Sequence, residues 1–191
     1  MNRRLDRVQE MLSRNGILPL LRPYRATMAG SIPIGLDTDE SDVDVLCEIQ
    51  NPGAFLDEMT KLFGTRPGFS VHLKTDAIPP AVVCRFTVEG LPVEIFGQAL
   101  PVTAQRGFRH MVAEQRLLAA GGDRVRNALM ALRARGAKTE PAFGELFGLD
   151  DPYEFLLGIA EWPDEAVRDF AARLERTGSV KPDPQESAAQ S

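Results

Sequence analysis

With 191 residues, 43% of them hydrophobic and 26% charged, the chain has material for one globular domain with a small helical extension. Its two cysteines, Cys47 and Cys84, sit in apolar runs without metal-ligand spacing, which argues for reduced core thiols over a disulfide framework. The N-terminal MNRRLDRVQEMLSRNG has no apolar signal core, and no window approaches the ~18 apolar residues of a membrane span, so a cytoplasmic protein without a membrane partner is expected.

In chain order, Leu5, Val8, Met11 and Leu12 recur at helical spacing with Gly16 at the C-terminal cap, predicting an amphipathic first helix. The apolar Ile17 to Leu21 is interrupted by Pro19 and followed by Pro23. Strand-like segments cover Arg25 to Ala29 and Val43 to Glu48 and, after a helix from about Pro52 to Phe63, Phe69 to Lys74. Ala81 to Val88 and Leu91 to Phe96 flank Glu89-Gly90, a two-residue hairpin signal.

Beyond Pro101 the periodicity becomes helical. Thr103 to Ala120 ends at Gly121-Gly122, and Asp123 to Arg135 ends at Gly136. Shorter helices are predicted after Pro141 and Pro152, then Pro163 to Arg176. The reading is an α/β (α+β) core over 1–100, a helical part over 101–177, and a disordered tail over 178–191, whose polar composition cannot bury itself.

Net charge is −5 and unevenly distributed. Between Thr103 and Lys138 eight basic residues face only Glu114 and Asp123, whereas Gly30 to Val45 (GSIPIGLDTDESDVDV) carries Asp37, Asp39, Glu40, Asp42 and Asp44. Carboxylates this close repel, so they are either solvated or hold a cation. Strand alternation from Asp42 onward aims Asp42 and Asp44 at one face and Val43, Val45 and Cys47 at the other. Two adjacent carboxylates suit a hard divalent cation such as Mg²⁺. Glu94 interrupts the apolar strand LPVEIF and would supply a third acid, since a carboxylate there needs a partner or a cation. Ahead of the pair, Gly30-Ser31 follows a strand-like segment, and such a turn lets the backbone approach a phosphate. A phosphate turn, a carboxylate pair and a third acid are the parts of a two-metal nucleotidyl transfer site.

The order Gly-Ser, ten residues, Asp-Val-Asp-Val, and an acid on a later strand resembles the DNA polymerase beta-type nucleotidyltransferase superfamily. The whole chain is also similar to an uncharacterised family of small bacterial proteins placed with it, through AGSIPIGLDTDESDVDVLCE, VEIFGQALPVTAQRGFRHM and KTEPAFGELFGLDDPYEFLL. The resemblance implies a nucleotidyltransferase-like mixed sheet with flanking helices. It also implies transfer of a nucleoside monophosphate from a triphosphate, ATP included, to an acceptor: a small molecule, RNA or protein. Residue by residue it implies phosphate contact for Gly30 and Ser31, Mg²⁺ or Mn²⁺ coordination for Asp42 and Asp44, and a third ligand or acceptor-activating base in Glu94. The loop behind Gly-Ser is rich in Asp, Ile and Pro, so the following helix should be short.

Several side groups are candidate substrate contacts: Lys74 and Arg85 on strands near the site, Arg109 and Lys138 in the family-like segments, and His110, four residues before Glu114 on a helix. An EF-hand fails, because its sixth position, which requires Gly, holds Asp42, and its apolar eighth holds Asp44. A solvated acidic loop accounts for Asp37, Asp39 and Glu40, but not for Glu94 or the acid/apolar alternation. A nucleotidyltransferase fold that binds nucleotide, nucleic acid or protein without turnover is the alternative function.

Overall fold

The computed structural model describes residues 2–177, so the expected disordered tail lies outside the described residues. The chain divides into two compact units, Met1–Met111 and Val112–Ser191. The expected mixed α/β order builds the first. Its strands are β1 (Thr27–Ala29), β2 (Val43–Glu48), β3 (Ser70–Lys74), β4 (Ala81–Val88) and β5 (Leu91–Gln98), in spatial order β1-β2-β5-β4-β3. All neighbours are antiparallel except β2 and β5, which run parallel.

Helices α1 (Arg3–Arg14), α2 (Ile17–Leu21), α3 (Ser31–Ile34) and α4 (Pro52–Phe63) complete this unit together with the start of α5 (Arg106–Ala134). Amphipathic spacing explains how they pack. Val8, Met11 and Leu12 of α1 and Phe55, Met59 and Phe63 of α4 are buried in one cluster with Val43, Val45 and Cys47. Each such side chain contributes about 1.5–3 kcal/mol by leaving water. Asn2 caps α1 by accepting from Leu5 N, and its amide donates to Ile32 O at 2.7 Å, which fastens α1 to α3.

Several boundaries differ from the sequence reading. Ile17 to Leu21 is helical despite Pro19, because the first turn of a helix needs no backbone donor there. Strand β1 begins only at Thr27, since Arg25 sits in the left-handed region (φ 51) and turns the chain. The helix after Gly30 is four residues long, as its loop composition implied. Cys47 and Cys84 are buried free thiols, and burial pushes both up to about 12.

The second unit contains the rest of α5, then α6 (Thr139–Phe147), α7 (Pro152–Ile159) and α8 (Asp164–Thr177). As expected, the helical run breaks at Gly121-Gly122: Gly122 sits at φ 58, ψ −152, outside helical conformation, so α5 is two helices joined at a kink. Phe155, Trp162 and Phe170 form an aromatic seam with ring centroids 5.2–5.8 Å apart, Trp162 edge-on to both phenylalanines. Arginines of the basic stretch bond within the unit. Arg116 donates to Ile159 O, Ala160 O and Trp162 O at the end of α7 and pairs with Asp164; Arg124 donates to Leu174 O; Arg135 pairs with Glu145. Carbonyls left open at helix ends attract such cations. No helix among the described residues is long and apolar enough to cross a membrane.

Candidate functional site

Parallel pairing of β2 with β5 sets Asp44 directly opposite Glu94. Residues in register on neighbouring strands project to the same face, so two carboxylates fifty positions apart in sequence become neighbours. The row continues in both directions, with Ala29 of β1 beside Asp44, Arg85 of β4 beside Glu94, and Ser70 of β3 beside Arg85. Two like charges facing each other across strands destabilise a sheet unless a cation intervenes. Arg85 provides one: its Nε lies 2.7 Å and its Nη2 2.5 Å from Glu94 Oε2.

Gly30 borders the row where β1 ends. It sits at φ 74, ψ −156, and a Cβ there would fall 2.0 Å from Asp44 Oδ2. Only glycine leaves room for that carboxylate and tolerates that backbone conformation. Ser31 is buried and donates from Oγ to Ser41 Oγ at 3.3 Å, while Ser41 Oγ accepts from Thr38 N at 2.9 Å. The loop between Gly30 and β2 is thus cross-tied from within. Asp37 was expected to be solvated, and here the structure corrects the reading: its carboxylate meets Arg4 Nε at 2.8 Å with 12% of the side chain exposed. Asp39 and Glu40 are exposed, as expected. Asp42 stands one residue ahead of β2 and is exposed, two residues before Asp44 and outside the ladder.

A family model described as Domain of unknown function (DUF4269) matches residues 10–159. The chain belongs to the DUF4269 family. No curated protein matches it. Among solved structures, this DUF4269 chain is similar to one in the GLD-2/RNP-8 complex: 15% identity, TM-score 0.50, covering 91% of this chain and 68% of that one. It is also similar to the Cid1 poly(U) polymerase (15% identity, 78% of this chain and 47% of that one, TM-score 0.46). A third is the non-canonical poly(A) polymerase complex GLD-2–GLD-3 (16% identity, 94% and 58%, TM-score 0.42). At these identities the first likeness shows the fold: the DUF4269 chain carries a nucleotidyltransferase-like mixed α/β fold. It spans less than half of the poly(U) polymerase chain.

Among the described residues no three His, Cys, Asp or Glu side chains are gathered into a ready metal cage. The donors that are present still fit a hard divalent cation. Asp44 and Glu94 offer carboxylate oxygens from adjacent strands, Asp42 is two residues away in sequence, and the absent Cβ of Gly30 leaves room for the Asp44 carboxylate.

The other expected contacts scatter. Lys74 closes β3 and pairs with Asp76 at 3.0 Å, four residues or roughly 13 Å along the strand from the row at Ser70. Arg109 and His110 lie in the first turns of α5, whose Gly107 packs on Leu46, two residues from Asp44 on the same face of β2. His110 is buried. Lys138 directly precedes α6, in the second unit of the DUF4269 chain. A cavity of about 680 Å³ lined by Tyr24, Arg25, Glu48, Asn51, Phe55 and Glu58 opens at the far end of β2. Glu48 lies roughly 13 Å along the strand from Asp44, so that space is distinct from the acidic pair.

Sequence reasoning missed the Arg85–Glu94 pair, although the signal was present. A two-residue turn at Glu89-Gly90 sets Val88 against Leu91, and counting outward from there sets Arg85 against Glu94. It also missed Gln105, fully buried, whose Nε2 donates to Cys47 O at 2.9 Å and Leu100 O at 3.2 Å and so ties the start of α5 to β2.

Proposed function

We propose that the chain is a metal-dependent nucleotidyltransferase that moves a nucleoside monophosphate from a nucleoside triphosphate to an acceptor and releases pyrophosphate. The observation that carries this reading is the in-register pair Asp44–Glu94 with Gly30 stripped back against the Asp44 carboxylate. Likeness of fold to a chain of the GLD-2/RNP-8 complex supports it at the level of the fold. Asp42, Asp44 and Glu94 would hold Mg²⁺ or Mn²⁺, which when bound neutralises charge on the attacking and leaving oxygens. The Gly30-Ser31 backbone would approach the triphosphate, because no side chain at Gly30 keeps it away. Glu94 would take the proton of the acceptor hydroxyl. The acceptor oxygen bonds to the α-phosphorus, the bond from that phosphorus to the bridging oxygen breaks, and pyrophosphate departs with the electron pair.

A second reading, a module of this fold that binds nucleotide or a partner without turnover, is favoured by the engagement of Glu94 with Arg85. One experiment separates the two. The protein is incubated with Mg²⁺ or Mn²⁺ and each α-labelled triphosphate, alone and with small-molecule, RNA and protein acceptor pools. Catalysis predicts label transfer with pyrophosphate release, both lost in an Asp42→Asn/Asp44→Asn variant. Absence of transfer, together with unchanged metal and nucleotide binding by that variant, rejects it.

A further inference from the structure

The row that carries the two acids also carries a rival for one of them. Arg85 directs both Nε and Nη2 at a single oxygen of Glu94, at 2.7 and 2.5 Å. The hairpin register fixes the two residues opposite each other, so the guanidinium is always within reach. Their exposures differ: 52% of the Arg85 side chain faces solvent against 23% for Glu94. The arginine can therefore leave the pair by turning outward, whereas the carboxylate stays where the strand holds it.

We propose that Arg85 is a positioning residue that occupies Glu94 in the metal-free protein, and that a divalent cation binds by taking this carboxylate from the guanidinium. The proposal rests on the reading of Asp42, Asp44 and Glu94 as a metal site. Guanidinium and cation compete for the same anion, so the pair sets how readily the site loads. An arginine kept only for sheet stability would leave cation affinity unchanged when removed, because a part-exposed ion pair contributes little by itself.

The test is a Mn²⁺ titration followed by electron paramagnetic resonance on the full chain and its variants. Arg85→Met should bind Mn²⁺ about three- to fivefold more tightly than the parent, the size expected when a part-exposed ion pair no longer opposes binding. Arg85→Lys, which keeps the charge but loses the planar fork, should fall between them. In a Glu94→Gln background the Arg85→Met substitution should change Mn²⁺ affinity little, because the contested carboxylate is gone. On the unaltered protein, Mg²⁺ should shift the Arg85 Nε–H resonance with the same midpoint as metal binding, a readout that does not depend on a variant folding. If the parent binds Mn²⁺ through Asp44 but Arg85→Met binds no tighter, or gains as much without Glu94, or the resonance does not move, the competition is refuted and the metal site stands. If neither the parent nor Arg85→Met binds Mn²⁺, or Asp44→Asn binds it as the parent does, the metal-site reading fails and takes the proposal with it.

Discussion

Gly30 shows how one missing methyl group shapes the site. Its φ of 74 and ψ of −156 lie in a region that other residues enter at a cost of about 1–3 kcal/mol. A Cβ would also collide with Asp44 Oδ2, at 2.0 Å. Gly30→Ala should therefore lower stability by about 1–3 kcal/mol in urea unfolding and abolish Mn²⁺ binding; parent-like binding would show that the Asp44 carboxylate does not depend on this clearance. Glu114 is a residue of another kind, 2% exposed, with Oε1 unpartnered among the described residues. Burial first and Glu140 second push its carboxyl well above the ordinary 4.5, with Arg133 opposing. An acid with a raised folded-state pKa binds its proton more tightly in the native protein than in the unfolded one. Its contribution is complete below the unfolded pKa and is lost as pH rises through the folded value. The thermal midpoint of the parent should thus fall from pH 5 towards pH 9 more steeply than that of Glu114→Gln, and parallel curves would contradict the assignment.

Among the elements, the ties between β2 and its neighbours decide where the acids point. Gln105 is fully buried and donates to carbonyls at Cys47 and Leu100, so truncation leaves buried acceptors unsatisfied. Gln105→Ala should cost about 1–3 kcal/mol by urea unfolding, and a loss under about 0.5 kcal/mol would mean that other contacts hold the start of α5. Local elements were legible in the sequence. β2 spans Val43–Glu48 and α4 spans Pro52–Phe63 as their periodicity and caps indicated, and the Glu89-Gly90 hairpin formed with both residues at positive φ. What stayed hidden depends on distant partners. Nothing in the spacing of Asp44 and Glu94 reveals that β2 and β5 pair in parallel, nor could Asp37 announce Arg4 from the far end of α1. The proline in Ile17–Leu21 is tolerated because a five-residue helix is nearly all first turn, where proline does no harm.

Over the whole molecule, opposite charges have different fates. The acidic stretch divides: Asp37 is paired with Arg4, Asp39 and Glu40 face solvent, and Asp44 joins Glu94 across the parallel strands. In the basic stretch, Arg116 and Arg124 close helix ends inside the second unit and Arg135 pairs with Glu145. The family match over residues 10–159 runs through both units, whereas the chemistry argued for here lies in the first. That chemistry is tested most directly by a crystal structure with Mn²⁺ and a non-hydrolysable nucleoside triphosphate, read by anomalous scattering. Manganese is expected between the Asp44 and Glu94 carboxylates, with Arg85 turned away from Glu94 and phosphate oxygens against Gly30-Ser31. Manganese bound elsewhere, or a triphosphate bound with Arg85 still on Glu94 and no metal beside Asp44, would contradict that chemistry.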